Sequence, residues 1–155
     1  MLTLNHWPVP ARRDVAGIFT DIDDTLTTKG AITPDALQAL ADLKTAGLMV
    51  IPITGRPIGW CERFMAGPPG TAWPVDAMVA ENGAVAFVRG AGPQQPPTKL
   101  YQQDAATRHA NQVRLRDIAA RVAAEVPGEE LSRDSAGRET DLAFDYAEFA
   151  RHSPD

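Results

Sequence analysis

Three carboxylates close a short apolar run: Val15-Ala16-Gly17-Ile18-Phe19-Thr20 leads into Asp21, Asp23 and Asp24, followed by Thr25. In an open α/β sheet, ligands bind just beyond the carboxyl ends of the strands, so acids placed there face a site. Two aspartates spaced i, i+2 at a strand end can point the same way and share one metal-assisted reaction. A solvated acidic turn is the plain alternative for an isolated D-x-D. A second group lies farther along, where Leu48-Met49-Val50-Ile51-Pro52-Ile53 ends in Thr54-Gly55-Arg56-Pro57. A hydroxyl, a glycine amide and a helix N-terminus together suit a phosphate, because donors converge where the helix dipole favours negative charge. On its own, T-G-R-P also reads as an ordinary capped helix start. A third stretch, Glu81-Asn82-Gly83, follows the apolar Ala77–Ala80. Asn82 there could reach a strand-end site or serve as a left-handed turn residue.

The elements that must position these groups follow from the pattern. Val15–Phe19 is short, apolar and unbroken, as expected for a strand buried on both faces of a parallel sheet. Thr33-Pro34-Asp35 opens a helix with Thr33 as N-cap and Pro34 in its first turn, and Ala36, Leu37, Leu40 and Leu43 form its apolar face. Gly47 sits where a left-handed C-terminal residue is wanted. Leu48–Ile53 is a second buried strand, and the strand–helix–strand unit calls for a right-handed crossover between parallel strands. Pro57 begins a helix running to about Met65, before the breaker Gly67-Pro68-Pro69-Gly70. Asp76–Ala80 and Ala84–Val88 read as strands joined at Asn82-Gly83 in a tight hairpin turn. Gly90–Thr98 is a Pro/Gly-rich linker and the expected domain boundary. Beyond it, Thr107–Val126 reads as an Arg- and Ala-rich amphipathic helix with Val113, Ile118 and Val122 among its apolar positions. Glu139–Asp145 alternates polar and apolar as a half-buried strand would. Residues 1–13 read as a loose leader, and Arg151–Asp155 ends without a closing element.

The bulk composition bounds the function. The 155 residues are 44% apolar and 23% charged with 13 prolines, a globular composition rich in turns. A net charge of −5 argues against nucleic acid as the main partner. The single Cys61 excludes an internal disulfide framework and suits a reducing compartment. No stretch approaches the roughly 20 apolar residues of a membrane span, and the N-terminus lacks a secretory pattern, so the expectation is a soluble cytoplasmic protein. His6, His109 and His152 lack metal-ligand spacing. Trp7, Trp60 and Trp73 read as packing residues. Arg138 and Asp141 read as strand-edge surface charge in preference to sugar contacts.

Taken in order, Asp21-Ile22-Asp23-Asp24-Thr25, Thr54-Gly55-Arg56-Pro57 and Glu81-Asn82-Gly83-Ala84 resemble the motifs of the haloacid dehalogenase superfamily. The likeness is to its Cof-type (IIB) sugar-phosphate phosphatases with a large α/β cap. It spans most of residues 15–145; Asp24 stands where that branch usually has glycine. The resemblance implies an α/β fold, a Rossmann-like parallel sheet present in part, with the beginning of a cap. Residues 1–89 would be the N-terminal part of the core, 90–98 the linker and 99–155 a partial cap. It further implies an Mg²⁺-dependent phosphomonoester hydrolase acting on a small phosphorylated metabolite such as a sugar phosphate. Asp21 would be the nucleophile that becomes an aspartyl-phosphate, and Asp23 the general acid/base. Thr54, Gly55, Arg56 and Asn82 would bind the phosphorylated substrate. The Asp21 carboxylate and the Asp23 carbonyl would bind the metal.

The lysine and the G-D-x-x-x-D segment that complete that family's site are absent here; Lys29, Lys44 and Lys99 are the only lysines. The chain therefore reads as the N-terminal portion of a longer enzyme, a truncated product, or a polypeptide completed by a partner, with weak or no turnover alone. The alternatives are a non-catalytic phospho-ligand-binding remnant and a phosphomutase of the same superfamily.

Overall fold

The computed structural model describes residue 3 and residues 6–66, 71–90 and 95–145. In chain order these form α1 (Val9–Arg12), β1 (Gly17–Asp21), the short pair β2 (Thr27–Thr28) and β3 (Ala31–Ile32), α2 (Pro34–Thr45), β4 (Met49–Ile53) and α3 (Ile58–Ala66). After these come β5 (Ala77–Ala80), β6 (Val85–Val88), β7 (Thr98–Tyr101) and α4 (Ala105–Glu125). Single 3₁₀ turns cover Glu81–Gly83 and Ser135–Gly137.

The fold is α/β. One mixed sheet has the order β1-β4-β5-β6-β7, with β1, β4 and β5 parallel and β5, β6 and β7 antiparallel. The two crossovers, through α2 and α3, step across the sheet in the same direction. Right-handed connections then put both helices on one face. The core is built accordingly: Ile18, Val50, Met78, Ala80, Val85 and Phe87 meet Leu40 of α2 and Ile58, Cys61 and Met65 of α3. Local chemistry starts and stops these helices as the sequence suggests. The Thr33 hydroxyl accepts the Ala36 amide at 3.4 Å, and Gly47 takes a φ of +81° just past the end of α2. Burial pushes the Cys61 thiol up to about 12, so this lone cysteine is an inert core residue.

Among the described residues, the other face of the sheet is left open. Phe19 pairs in register with Ile51, and one level on Ile53 pairs with Val79, Val79 with Ala86 and Ala86 with Leu100, which makes one apolar face. Phe19 is 69% exposed, Met49 52% and Leu100 56%. Beside Phe19 lies a groove of about 370 Å³ lined by Val15–Phe19, Met49 and Ile51. The expected two-sided burial of the first strand is thus corrected. Within the described residues β1 is an edge strand paired with β4 alone, and half of its side chains face outward.

Four other expectations change. Residues 9–12 of the supposed leader form a helical turn, held by Arg12 donating to the Trp7 carbonyl. The hairpin between β5 and β6 is joined by residues 81–84, with Glu81, Asn82 and Gly83 all at positive φ, and not by a two-residue turn. The long helix begins at Ala105, capped by Asp104, but buries no residue. Glu139–Asp145 is not a strand: only an isolated bridge, Leu131 to Phe144, survives, because a buried carboxylate takes the Glu139 and Thr140 amides. Across the Pro-rich stretch, whose residues 91–94 lie outside the described residues, β7 pairs with β6 in the same sheet. The breaker 67–70 and residues 151–155 also lie outside them. No helix of the described residues is long and apolar enough to cross a membrane.

Candidate active site at the strand ends

The parallel register sets Asp21 level with Ile53, so the chain leaves β1 as Ile22-Asp23 directly beside Thr54-Gly55 leaving β4. Ile22 is fully buried, and its carbonyl accepts the Leu26 and Thr27 amides at 3.0 Å and the Thr27 hydroxyl at 3.1 Å. This anchor folds the acidic loop back on itself and leaves Asp21 exposed and Asp23 half-buried beside it. Asp24 has φ +56°. Glycine is the natural residue for that left-handed position and aspartate is among the few others that tolerate it. The departure at Asp24 therefore keeps the turn.

Thr54 is buried, and its hydroxyl accepts the Arg56 amide at 3.0 Å. Arg56 turns back across the strand ends and donates through Nε and Nη2 to the two oxygens of Asp23, each at 3.1 Å, a parallel fork. The turn after β5 is tied to the same loop: the Asn82 amide donates to the Thr54 carbonyl at 3.3 Å and the Glu81 amide to the Arg56 carbonyl at 3.1 Å. Asn82 comes so close that a Cβ on Gly55 would lie 3.0 Å from its Oδ1, which explains the glycine. The structure therefore brings together Asp21, Asp23, Thr54, Gly55, Arg56 and Asn82 at one end of the sheet. It gives Arg56 a carboxylate partner, and it does not present the first amide of α3 to a ligand. That amide, of Ile58, donates to Glu81 Oε1 at 3.0 Å.

Glu81 is the residue that sequence reasoning missed. Its carboxylate is 2% exposed and accepts the Ile58, Glu139 and Thr140 amides and the Thr140 hydroxyl. A polar group this buried is kept only when its hydrogen-bonding sites are filled. The available signal was a carboxylate directly after a buried apolar strand. Arg138 is the second correction. It is not strand-edge surface charge: its side chain is 9% exposed and is paired with Asp134 and Asp141. Burial works against its charge, but the Asp141 hydrogen bond and the charges of Asp141 and Asp134 outweigh it and raise its pKa.

For a metal, the Asp21 carboxylate and the Asp23 carbonyl are hard oxygen donors at one strand end. They fit Mg²⁺, an ion that keeps several waters and needs few protein ligands. Among the described residues no group of three or more His, Cys, Asp or Glu side chains is placed to hold a metal. Lys44 pairs with Asp76 and Lys99 with Glu139, apart from these carboxylates.

A family model described as haloacid dehalogenase-like hydrolase matches residues 18–116. Among solved structures, a crystal structure of a Thermoplasma acidophilum protein aligns with a TM-score of 0.56 at 17% identity, covering 82% of this chain and 49% of that one. A hypothetical protein of Geobacillus kaustophilus HTA426 aligns with a TM-score of 0.51 at 21% identity, covering 84% of this chain and 43% of that one. The chain thus spans less than half the length of either, and at these identities the likeness concerns the fold. A search of curated proteins finds no match.

Proposed function

The chain belongs to the haloacid dehalogenase-like hydrolase family, and from that premise we propose that its strand-end site hydrolyses a small phosphomonoester, most simply a sugar phosphate. The observation that carries this reading is the register of β1 and β4, which sets the exposed Asp21 beside the Thr54-Gly55 loop, with Asp23 held by Arg56.

In this reading one Asp21 oxygen attacks phosphorus as the ester P–O bond breaks, and Asp23 gives its proton to the departing alcohol. Asp23, now a carboxylate, takes a proton from water, the water oxygen attacks phosphorus, and the bond to Asp21 breaks to release phosphate. Splitting one displacement into two through a covalent intermediate is the advantage of a carboxylate nucleophile. The Thr54 hydroxyl and Gly55 amide hold the phosphoryl oxygens. The Arg56 fork holds Asp23 as the carboxylate that accepts the water proton, and the acid step requires one of the two fork bonds to open so that the freed oxygen carries the proton. Mg²⁺ on the Asp21 carboxylate and Asp23 carbonyl would offset repulsion between the anionic nucleophile and the anionic substrate. We further read the protein as cytoplasmic, the residues after β7 as the start of a cap, and the partner as a small metabolite and not a nucleic acid.

A second reading, phospho-ligand binding without turnover, draws support from the Asp23 carboxylate being already committed to Arg56. The test is Mg²⁺-dependent phosphate release from an aryl phosphate, with Asp21→Asn compared at matched fold content. Slow release that is abolished by chelator and by the substitution supports the hydrolase. Phosphate binding with no release from either protein moves the reading to a binding module.

A further inference from the structure

We propose that Arg138 is the positioning residue of the strand-end site, acting through the Gly55–Arg56 peptide and through Asp134 and Asp141. This rests on the reading of that site as a phosphoryl site. Its side chain is 9% exposed and its guanidinium faces three ways. Nη1 donates to Asp141 Oδ1 at 2.8 Å and to the Gly55 carbonyl at 3.1 Å. Nε and Nη2 donate to the two Asp134 oxygens at 3.3 and 3.5 Å. Each carboxylate then reaches a site residue. Asp134 lies 3.9 Å from Arg56 Nη1, whose other nitrogens fork Asp23, and Asp141 accepts from Asn82 Nδ2 at 3.5 Å.

The contact to the Gly55 carbonyl has a definite consequence. That carbonyl and the Arg56 amide belong to one planar peptide unit. Arg138 holds its oxygen end while its N–H donates to the Thr54 hydroxyl oxygen at 3.0 Å. With that oxygen already accepting, the Thr54 hydroxyl proton is left to point elsewhere, toward an anion at the strand ends. One guanidinium 83 positions away in sequence therefore orients the Thr54 donor, Arg56 and Asn82 together. The segment carrying it is fixed independently. The Glu81 carboxylate takes the next two amides, Glu139 and Thr140. Gly137 sits so close to the first turn of α3 that a Cβ on Gly59 would lie 3.0 Å from its Cα. Only a planar fork with several donors meets all of these acceptors at once; a lysine ammonium does not.

The experiment titrates the parent chain, Arg138→Met and Arg138→Lys with inorganic phosphate in Mg²⁺ buffer, reading ¹⁵N–¹H shifts of the Gly55 and Arg56 amides and the Asn82 side chain. With β4 and β5 amides unchanged, Arg138→Met is expected to weaken phosphate binding roughly tenfold and to shift Arg56 and Asn82 before any phosphate is added. Arg138→Lys is expected to recover only part of the affinity, and if the methionine variant fails to fold, the lysine variant decides by the same shifts. Coincident Arg56 and Asn82 resonances in variant and parent overturn the proposal. A parent chain that ignores phosphate instead overturns the phosphoryl reading, while the shifts still decide what Arg138 positions.

Discussion

The two faces of the sheet are made of similar residues and meet different fates. Ile18, Val50, Met78, Val85 and Phe87 lie under α2 and α3; Phe19, Met49, Ile51, Ile53 and Leu100 lie on the opposite face, several of them largely exposed. Parallel strands are normally covered on both sides, because their crossover helices end up on both faces. Here both crossovers step the same way, so one face receives both helices. Side-chain hydrophobicity is therefore equal in kind on the two faces, and coverage alone separates a core from an open apolar surface.

Two methionines make the sharpest test. Met78 is fully buried and Met49 is half exposed, on neighbouring strands of one sheet. Met78→Ala should cost about 2–5 kcal/mol, from lost transfer energy and the cavity left behind. Met49→Ala should stay within about 0.5 kcal/mol. Urea midpoints at constant m-value measure both. If the two costs converge, something covers the open face in solution.

The same contrast explains what the sequence made legible. Strands and helices announced themselves locally, through Thr33-Pro34, Gly47 and the unbroken run at Leu48–Ile53. The acids at the end of β1 and the Thr54-Gly55 loop were visible because adjacent parallel strands bring their ends together. Whether a run is buried on one face or two is not legible in sequence, since that depends on what packs against it; the unbroken apolar pattern of Val15–Phe19 predicts cover on both faces. The alternation at Glu139–Asp145 was equally real, yet the Glu81 carboxylate captured the amides that a ladder would have needed. Sequence alone places Arg138 among surface charges because its partners at Gly55, Asp134 and Asp141 assemble only in three dimensions.

A smaller effect comes from the groups that hold α2 onto the covered face. Asp76, at the entry to β5, accepts Lys44 Nζ from the end of α2 at 2.5 Å and the Val50 amide at 2.8 Å. Burial by itself would raise this carboxyl, but the Lys44 and Val50 hydrogen bonds and the Lys44 and Arg89 charges outweigh it, so it lies below the ordinary 3.8. A carboxyl depressed in the folded state adds stability that is fully present above its unfolded value and is lost as pH falls through the folded one. Asp76→Asn should cost about 1 kcal/mol at neutral pH and flatten the decline of stability between about pH 5 and pH 2. Urea melts at stepped pH read both. A decline of unchanged slope would mean that other carboxylates govern acid unfolding and that Asp76 contributes only its neutral hydrogen bonds.

The smallest effect on stability belongs to the open face. Phe19, 69% exposed on the edge strand, has little burial to lose. Phe19→Lys should therefore leave the urea midpoint within about 0.5 kcal/mol of the parent. It should nevertheless lower the binding of a hydrophobic dye such as anilinonaphthalene sulfonate and any concentration-dependent sedimentation, because a charge now interrupts the apolar face and guards an unpaired edge. A clear loss of stability would mean that Phe19 is buried against something in solution. In that case the two faces differ in what covers them, and no longer in whether they are covered.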